Sequence, residues 1–125
     1  MRTLGQKRAA FALEKVTGMA AETKERFEPF SAGAPSMILQ NGFGQALAFW
    51  LSKGKGEHMA MFNIVQEWLT YQKEDVKNDF VQPNDDSPTA FIKAISGMPQ
   101  QEYLTAQKET LALIEWVKRY AKAGL

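Results

Sequence analysis

The sequence predicts an all-α fold, a compact bundle of about five helices in a single domain spanning residues 1–125. Apolar residues recur at intervals of three, four and seven positions over most of the chain, which is the spacing of amphipathic helices. Glycine and proline divide this pattern into pieces of helix length. No segment of useful length alternates between apolar and polar residues, as a half-buried strand would.

The first two helices are delimited by proline and glycine. Apolar spacing predicts the first helix over about residues 3–27, where Thr3 and Gln6 are able to form a capping box. Pro29 and the segment 31–35 are expected to end that helix and to form a loop. A second helix is then expected from about residue 35 to Lys53, with glycine following it.

Three further helices complete the predicted bundle. The third is expected over about residues 57–78, because its apolar positions keep a helical spacing. The turn-forming segment 82–88 closes it, and Ser87 followed by Pro88 is a good start for a short fourth helix over residues 89–96. The fifth runs from Pro99 to about residue 122. The side chains expected to anchor the core are Phe49, Leu69, Leu111 and Ile114.

Composition excludes several classes of protein. The chain has 45% hydrophobic residues, a formal net charge of +1 and no cysteine. Disulfides, thiolate catalysis and cysteine-bound zinc are therefore excluded, and a histone-like basic protein is excluded as well. The N-terminus shows no signal-peptide pattern, and no run reaches the roughly 18 apolar residues of a membrane helix. We expect a cytoplasmic protein without a membrane partner.

The sequence contains no recognisable catalytic or metal-binding motif. The single histidine, His58, lacks a second histidine or a cysteine with which to share a metal, so we expect it to be a surface or capping residue. The acidic residues around 85–86 lie in a turn that favours aspartate for backbone reasons. We expect no enzyme activity, no cofactor and no metal. The alternative is a small metal-dependent nuclease that uses Asp79, Asp85 and Asp86.

The predicted second helix contains two glycines in an otherwise apolar stretch. Each interior glycine costs about 0.5–1 kcal/mol relative to alanine, so another interaction should offset it. One explanation is tight packing between helices, and the other is contact with a partner where the backbone is thin. The candidate subunit-contact residues are Gln40, Asn41, Gly42, Gly44 and Gln45.

Basic residues are clustered on parts of the first and last predicted helices. Lysine and arginine beside aromatic residues are typical of surfaces that bind a nucleic-acid backbone. The alternative is a solvated face, with lysines near a helix C-terminus favoured by the helix dipole. The candidate RNA-binding residues are Arg8, Lys15, Lys53, Lys118, Arg119 and Lys122.

Three stretches of the chain resemble a known family. Residues 35–53, PSMILQNGFGQALAFWLSK, resemble the signature segment of the small subunit of the Cmr complex, the RNA-guided type III-B CRISPR effector. Residues 8–16 and 110–121 are similar to the N-terminal and C-terminal helices of that family. The stretch from about residue 75 to residue 99 carries no diagnostic pattern.

The resemblance implies a fold, partners and a role. The family consists of helical bundles, and several copies line up beside the subunits that hold the CRISPR RNA. They form part of the channel for the guide–target duplex in antiviral defence, and catalysis belongs to other subunits. The implied partners are therefore other Cmr subunits, further copies of the chain and the CRISPR RNA–target RNA duplex. The alternative is a free-standing helical adaptor that binds only protein.

Overall fold

The first helix, α1, is shorter than predicted. The computed structural model describes residues 1–125 and places α1 at Leu4–Thr17. The predicted capping box is confirmed. The Thr3 hydroxyl accepts from the backbone N–H of Gln6 at 3.1 Å, and the side-chain oxygen of Gln6 accepts from the backbone N–H of Thr3 at 2.8 Å. Gly18 ends the helix, with its N–H bonded to carbonyls of the last turn. The prediction of one helix over residues 3–27 is therefore wrong.

The second helix, α2, runs over Ala21–Asn41 and passes through both Pro29 and Pro35. The prediction that Pro29 ends a helix and that a loop follows is wrong. An interior proline costs about 3 kcal/mol, but burying one large apolar side chain stabilises by about 1.5–3 kcal/mol. Phe27 and Ile38 of α2 are almost fully buried, so tertiary packing offsets the cost of the prolines.

Two helices and a small hairpin follow. Helix α3 covers Phe43–Lys53, and Gly54 ends it with φ 62°, as the sequence predicts. Helix α4 covers Gly56–Leu69. The strands β1 (Gln72–Lys73) and β2 (Val76–Lys77) pair antiparallel. The prediction that the third helix continues to about residue 78 is therefore wrong.

The last two helices agree with prediction within a residue or two. Helix α5 covers Pro88–Gly97, and the Ser87 hydroxyl caps it by accepting from the Ala90 amide at 3.1 Å. Helix α6 covers Gln100–Lys122 and packs against α1, α2 and α4. None of the six helices is both long and apolar enough to cross a membrane.

One core of 24 buried residues receives side chains from all six helices. The all-α fold class is confirmed, since 74% of the residues are helical and the only sheet is the two-stranded hairpin. Leu69 and Ile114 are buried as predicted. Leu111 is only partly buried, because Leu113 takes the inward position on α6. The prediction for Phe49 is wrong: its side chain is 39% exposed, and the neighbouring Trp50 faces the core.

Candidate nucleic-acid and subunit interface

Arg8 lies in an ion pair that is mostly buried, and not on an open surface. Its Nε and Nη2 donate to the two carboxylate oxygens of Glu109 at 2.7 and 2.8 Å. Trp68 Nε1 donates to the same carboxylate at 2.9 Å. The hydrogen bonds to Glu109 raise the pKa of Arg8 above its ordinary value. Arg8 therefore joins α1 to α6, and its guanidinium is held within the fold by Glu109.

Lys15 and Lys118 form ion pairs at the surface. The ammonium of Lys15 is 2.8 Å from a carboxylate oxygen of Glu67, and that of Lys118 is 3.2 Å from Glu115. Such exposed pairs contribute about 0–1 kcal/mol and are weakened by salt. A phosphate group can therefore replace either carboxylate at little cost, and both lysines remain candidates.

The other three candidates are exposed and have no ion pair. Arg119 and Lys122 lie in the last turn of α6. Lys53 lies in the last turn of α3, with its ammonium 5.3 Å from the centre of the Phe49 ring. The basic candidates therefore lie on three helices, α1, α3 and α6.

The two glycines of the candidate subunit contact do not lie inside one helix. Gly42 has φ 94° and ψ 153°, a conformation that is essentially restricted to glycine, and it separates α2 from α3. Gly44 lies in the first turn of α3, where its N–H donates to the Tyr103 hydroxyl at 2.8 Å. A Cβ at Gly44 would lie 3.4 Å from that hydroxyl oxygen. Gly42 is therefore required by its backbone conformation, whereas Gly44 has an ordinary helical conformation and lies in contact with Tyr103 of α6.

The α2–α3 joint forms a groove that collects three of the five candidate contact residues. The groove has a volume of about 540 Å³. It is lined by Met37, Gln40, Asn41, Gln45, Ala46 and Phe49. The exposure of Phe49 follows from this position, since its ring borders the groove and not the core. We call this feature the joint groove.

His58 lies in a partly enclosed position, and the expectation of a surface or capping histidine is wrong. Its side chain is 15% exposed, and its ring centre is 4.5 Å from that of Phe30. Its Nδ1 is 4.0 Å from an oxygen of Glu57. The N-cap position of α4 belongs to Lys55. His58 therefore packs between helices.

The acidic candidates have separate local roles. Asp79 accepts from the Gln72 side-chain amide at 2.7 Å. Asp85 accepts from the Ser87 backbone N–H at 2.8 Å, and its bonds to Ser87 lower the pKa of Asp85 below its ordinary value. No group of three or more histidine, aspartate or glutamate side chains is placed to hold a metal ion. The carboxylates of the nuclease alternative therefore do not converge on a metal site.

Sequence reasoning missed the partner of Arg8, although the sequence contained a signal for it. Glu109 falls among the inward positions of α6, between Ala106 and Leu113. A carboxylate on an apolar helix face requires a cation or other donors once it is buried. The signal was therefore the charge of Glu109 within the apolar stripe.

Comparison with known proteins identifies the family. The family model described as "CRISPR-associated protein (Cas_Cmr5)" matches residues 4–124. The "CRISPR system Cmr subunit Cmr5" of Thermus thermophilus is 32% identical over 124 residues, in an alignment that covers 98% of this chain and 96% of that protein. The X-ray crystal structure of a CRISPR-associated Cmr5 family protein from the same organism superposes with a TM-score of 0.73. It has 29% sequence identity and covers 98% of this chain and 97% of that one.

These matches confirm the resemblance seen in residues 35–53, and they extend it over the segment around residues 75–99 that carried no diagnostic pattern. The relatives share both the length and the helical fold of the chain. The chain therefore belongs to the Cas_Cmr5 family of CRISPR-associated proteins.

Proposed function

We propose that the chain is the non-catalytic small subunit of a type III-B CRISPR (Cmr) RNA-guided silencing complex in the cytoplasm. In that complex it lines the channel of the guide–target RNA duplex and binds neighbouring subunits in antiviral defence. The observation that carries the proposal is the match along 98% of the chain to a relative named as a Cmr subunit.

The proposed RNA contacts are those of the six predicted basic candidates that the fold leaves accessible. They are Lys15, Lys53, Lys118, Arg119 and Lys122. Lysine and arginine bind phosphates without reading bases, which suits a surface that must accept any guide–target duplex. The net charge of +1 gives one copy little long-range attraction for RNA. Several copies side by side would supply the affinity, as multivalent binding allows.

The proposed subunit contact lies at the α2–α3 joint. Gln40, Asn41 and Gln45 line the joint groove. Gly42 and Gly44 support the contact indirectly, since they set the angle between α2 and α3 and hold the start of α3 against Tyr103. A groove held by rigid helices on both sides is well suited to an interface, because little order has to be gained on binding.

Co-purification from the native host tests the proposed function. A tagged copy of the chain is expected to bring with it the larger Cmr subunits and CRISPR RNA. Partner proteins without any RNA would favour the adaptor alternative. Recovery of the chain alone, from cells that express the complex, would contradict the proposal.

A further inference from the structure

We propose that the joint groove binds an extended segment of a different protein subunit, which seats one large apolar side chain on Met37 and Phe49. The amides of Gln40, Asn41 and Gln45 bind the backbone of that segment. The inference rests on the proposed function, because it assumes that the chain works within a complex. It adds the chemistry of the partner segment at this surface.

The lining of the groove provides an apolar seat. Phe49 is an aromatic residue of the groove lining with 39% of its surface exposed, and Met37, also in the lining, is partly exposed. Aromatic residues and methionine are enriched at the centres of protein interfaces. The unbranched side chain of methionine also adapts to irregular shapes. The seat therefore fits one large aliphatic or aromatic side chain.

The amides of the groove have no partners within the chain. The side chains of Gln40, Asn41 and Gln45 form no hydrogen bond in the structure, whereas those of Gln66 and Gln72 bind backbone carbonyls. Each amide offers both donors and an acceptor, as a peptide backbone does. Three free amides around an apolar seat therefore match a segment whose backbone N–H and C=O groups are unpaired.

The charge of the groove favours protein over RNA as the occupant. None of the six lining residues is charged. Lys53 holds its ammonium 5.3 Å from the centre of the Phe49 ring but is not among the residues that line the groove. Grooves that follow a nucleic-acid backbone are positively charged. A neutral, amide-lined groove suits an uncharged polypeptide segment instead.

A second copy of the chain cannot supply such a segment from its folded structure. Its longest stretch outside helices and strands is residues 78–87. The apolar residues of that stretch, Phe80 and Val81, already pack against the core. The remaining apolar surface of a copy is presented by helices. The occupant is therefore a segment of another subunit.

Affinity measurements with groove variants test the inference. In the complex assembled from purified subunits, the double variant Gln40→Ala and Gln45→Ala is expected to lower the affinity of the chain for its partners about tenfold or more. The loss should be equal at low and high salt, since no charge is removed. The matched control is Gln100→Ala with Gln101→Ala, two exposed glutamines of α6 without side-chain hydrogen bonds, which should leave affinity unchanged.

Phe49→Ala is an independent variant, and it should lower the affinity of the chain for its partners by a similar factor. Circular dichroism and thermal unfolding check that this variant is folded. If the glutamine double variant and Phe49→Ala both bind their partners as tightly as the unmodified chain in an otherwise intact complex, the inference is overturned. The proposed function is not affected by that result. Failure of the unmodified chain to enter the complex would instead overturn the proposed function.

Photo-crosslinking identifies the occupant. A benzoylphenylalanine placed at Gln45 in the assembled complex is expected to crosslink to a peptide of a different subunit that contains a large apolar residue outside helices. Crosslinks to RNA, crosslinks to a second copy of the chain, or no crosslink in a fully assembled complex would each overturn the inference. The same probe at Gln101 supplies the background.

Discussion

At the scale of single residues, the ion pair between Arg8 and Glu109 decides how a basic side chain is interpreted. The sequence places Arg8 on a basic helix face, where a phosphate contact and a solvated position are both reasonable. The structure shows a third role, because Glu109 is 5% exposed and takes both hydrogen bonds of the guanidinium fork. A buried carboxylate that loses its cation strongly destabilises the fold, so the main role of Arg8 is to pair with Glu109.

Arg8→Ala is therefore expected to destabilise the fold strongly. The change leaves the Glu109 carboxylate buried with only Trp68 Nε1 as a donor, and breaking a buried pair in this way costs about 3 kcal/mol or more. Urea unfolding followed by circular dichroism measures the free energy of unfolding. Arg119→Ala is the matched control, since that exposed arginine has no ion pair and its loss should change stability by less than about 0.5 kcal/mol. Equal stabilities for the two variants would contradict the structural role of Arg8.

Asp75 is expected to make the stability of the chain depend on pH in the acid range. Hydrogen bonds from Arg2 hold the pKa of Asp75 below its ordinary value. Because the folded-state pKa is lowered, this contribution to stability is present at neutral pH and is lost as the pH falls below about 4. Asp75→Asn should therefore reduce stability at neutral pH, and the difference from the parent should shrink in acid.

Urea unfolding at neutral and acid pH measures this dependence. Arg2→Ala should reproduce the effect, and the double variant with Asp75→Asn should add little to either single change, because both remove the same interaction. A stability difference between Asp75→Asn and the parent that stays constant from neutral pH into acid would contradict the linkage.

At the scale of the elements, the errors in the predicted boundaries come from packing that outweighs local signals. Proline is expected to end a helix, yet α2 continues through Pro29 and Pro35 because its buried side chains lie on both sides of them. Val76 lies seven residues after Leu69, which is a helical spacing, yet it belongs to strand β2. A turn that includes Glu74 connects β2 to its partner β1. Glu74 has φ 55°, which a non-glycine residue adopts only with support from its surroundings.

Gly42 gives a sharp test of the α2–α3 joint. A side chain at φ 94° is strained whatever space surrounds it, so Gly42→Ala should cost about 1–3 kcal/mol. Gly33 is the matched control, because it is exposed within α2 and a Cβ there meets nothing within 4 Å. Gly33→Ala should raise stability by about 0.5–1 kcal/mol through helix propensity alone. Thermal unfolding compares the two, and a shift of the same sign in both would contradict the assigned role of the joint.

At the scale of the whole molecule, the features that the sequence predicts well are those set by local periodicity. The all-α class, the start of α5 and the extent of α6 follow from apolar spacing and caps. Only the polar part of the joint groove could be predicted from the sequence. The amides at 40, 41 and 45 stand out beside two glycines, but Phe49 resembles a core residue because it lies one position from Trp50 within an apolar run. Which of two adjacent aromatics faces inward depends on the helices that pack against them.

The distribution of charge over the whole molecule explains why RNA binding should depend on the assembly. The three candidate cations without an ion pair lie at the C-terminal ends of α3 and α6, and the net charge is only +1. Each copy therefore offers a few phosphate contacts and little long-range attraction. Several copies in one complex would add their contacts along the same duplex.

Removing the three candidate cations that have no ion pair should weaken RNA binding by the assembled complex and flatten its salt dependence. The slope of log affinity against log salt falls by roughly one unit for each phosphate that is no longer bound. We therefore expect the triple variant Lys53→Gln, Arg119→Gln and Lys122→Gln to reduce the slope by up to about three units for each copy that touches the duplex. Affinity should fall by the same factor for unrelated target sequences, because phosphate contacts carry no base information. Filter binding of the complex at several salt concentrations measures both quantities.

The matched control for this prediction removes the same charge elsewhere on the molecule. Lys73, Lys77 and Lys93 are exposed lysines of the hairpin and α5 that form no ion pair, and their change to glutamine lowers the net charge equally. Because local phosphate contacts and not the total charge set the slope, this control should leave the slope nearly unchanged. Equal losses for the two triple variants would show that only net charge matters. An unchanged slope in the first variant would leave the chain as a protein scaffold without direct RNA contact through these residues.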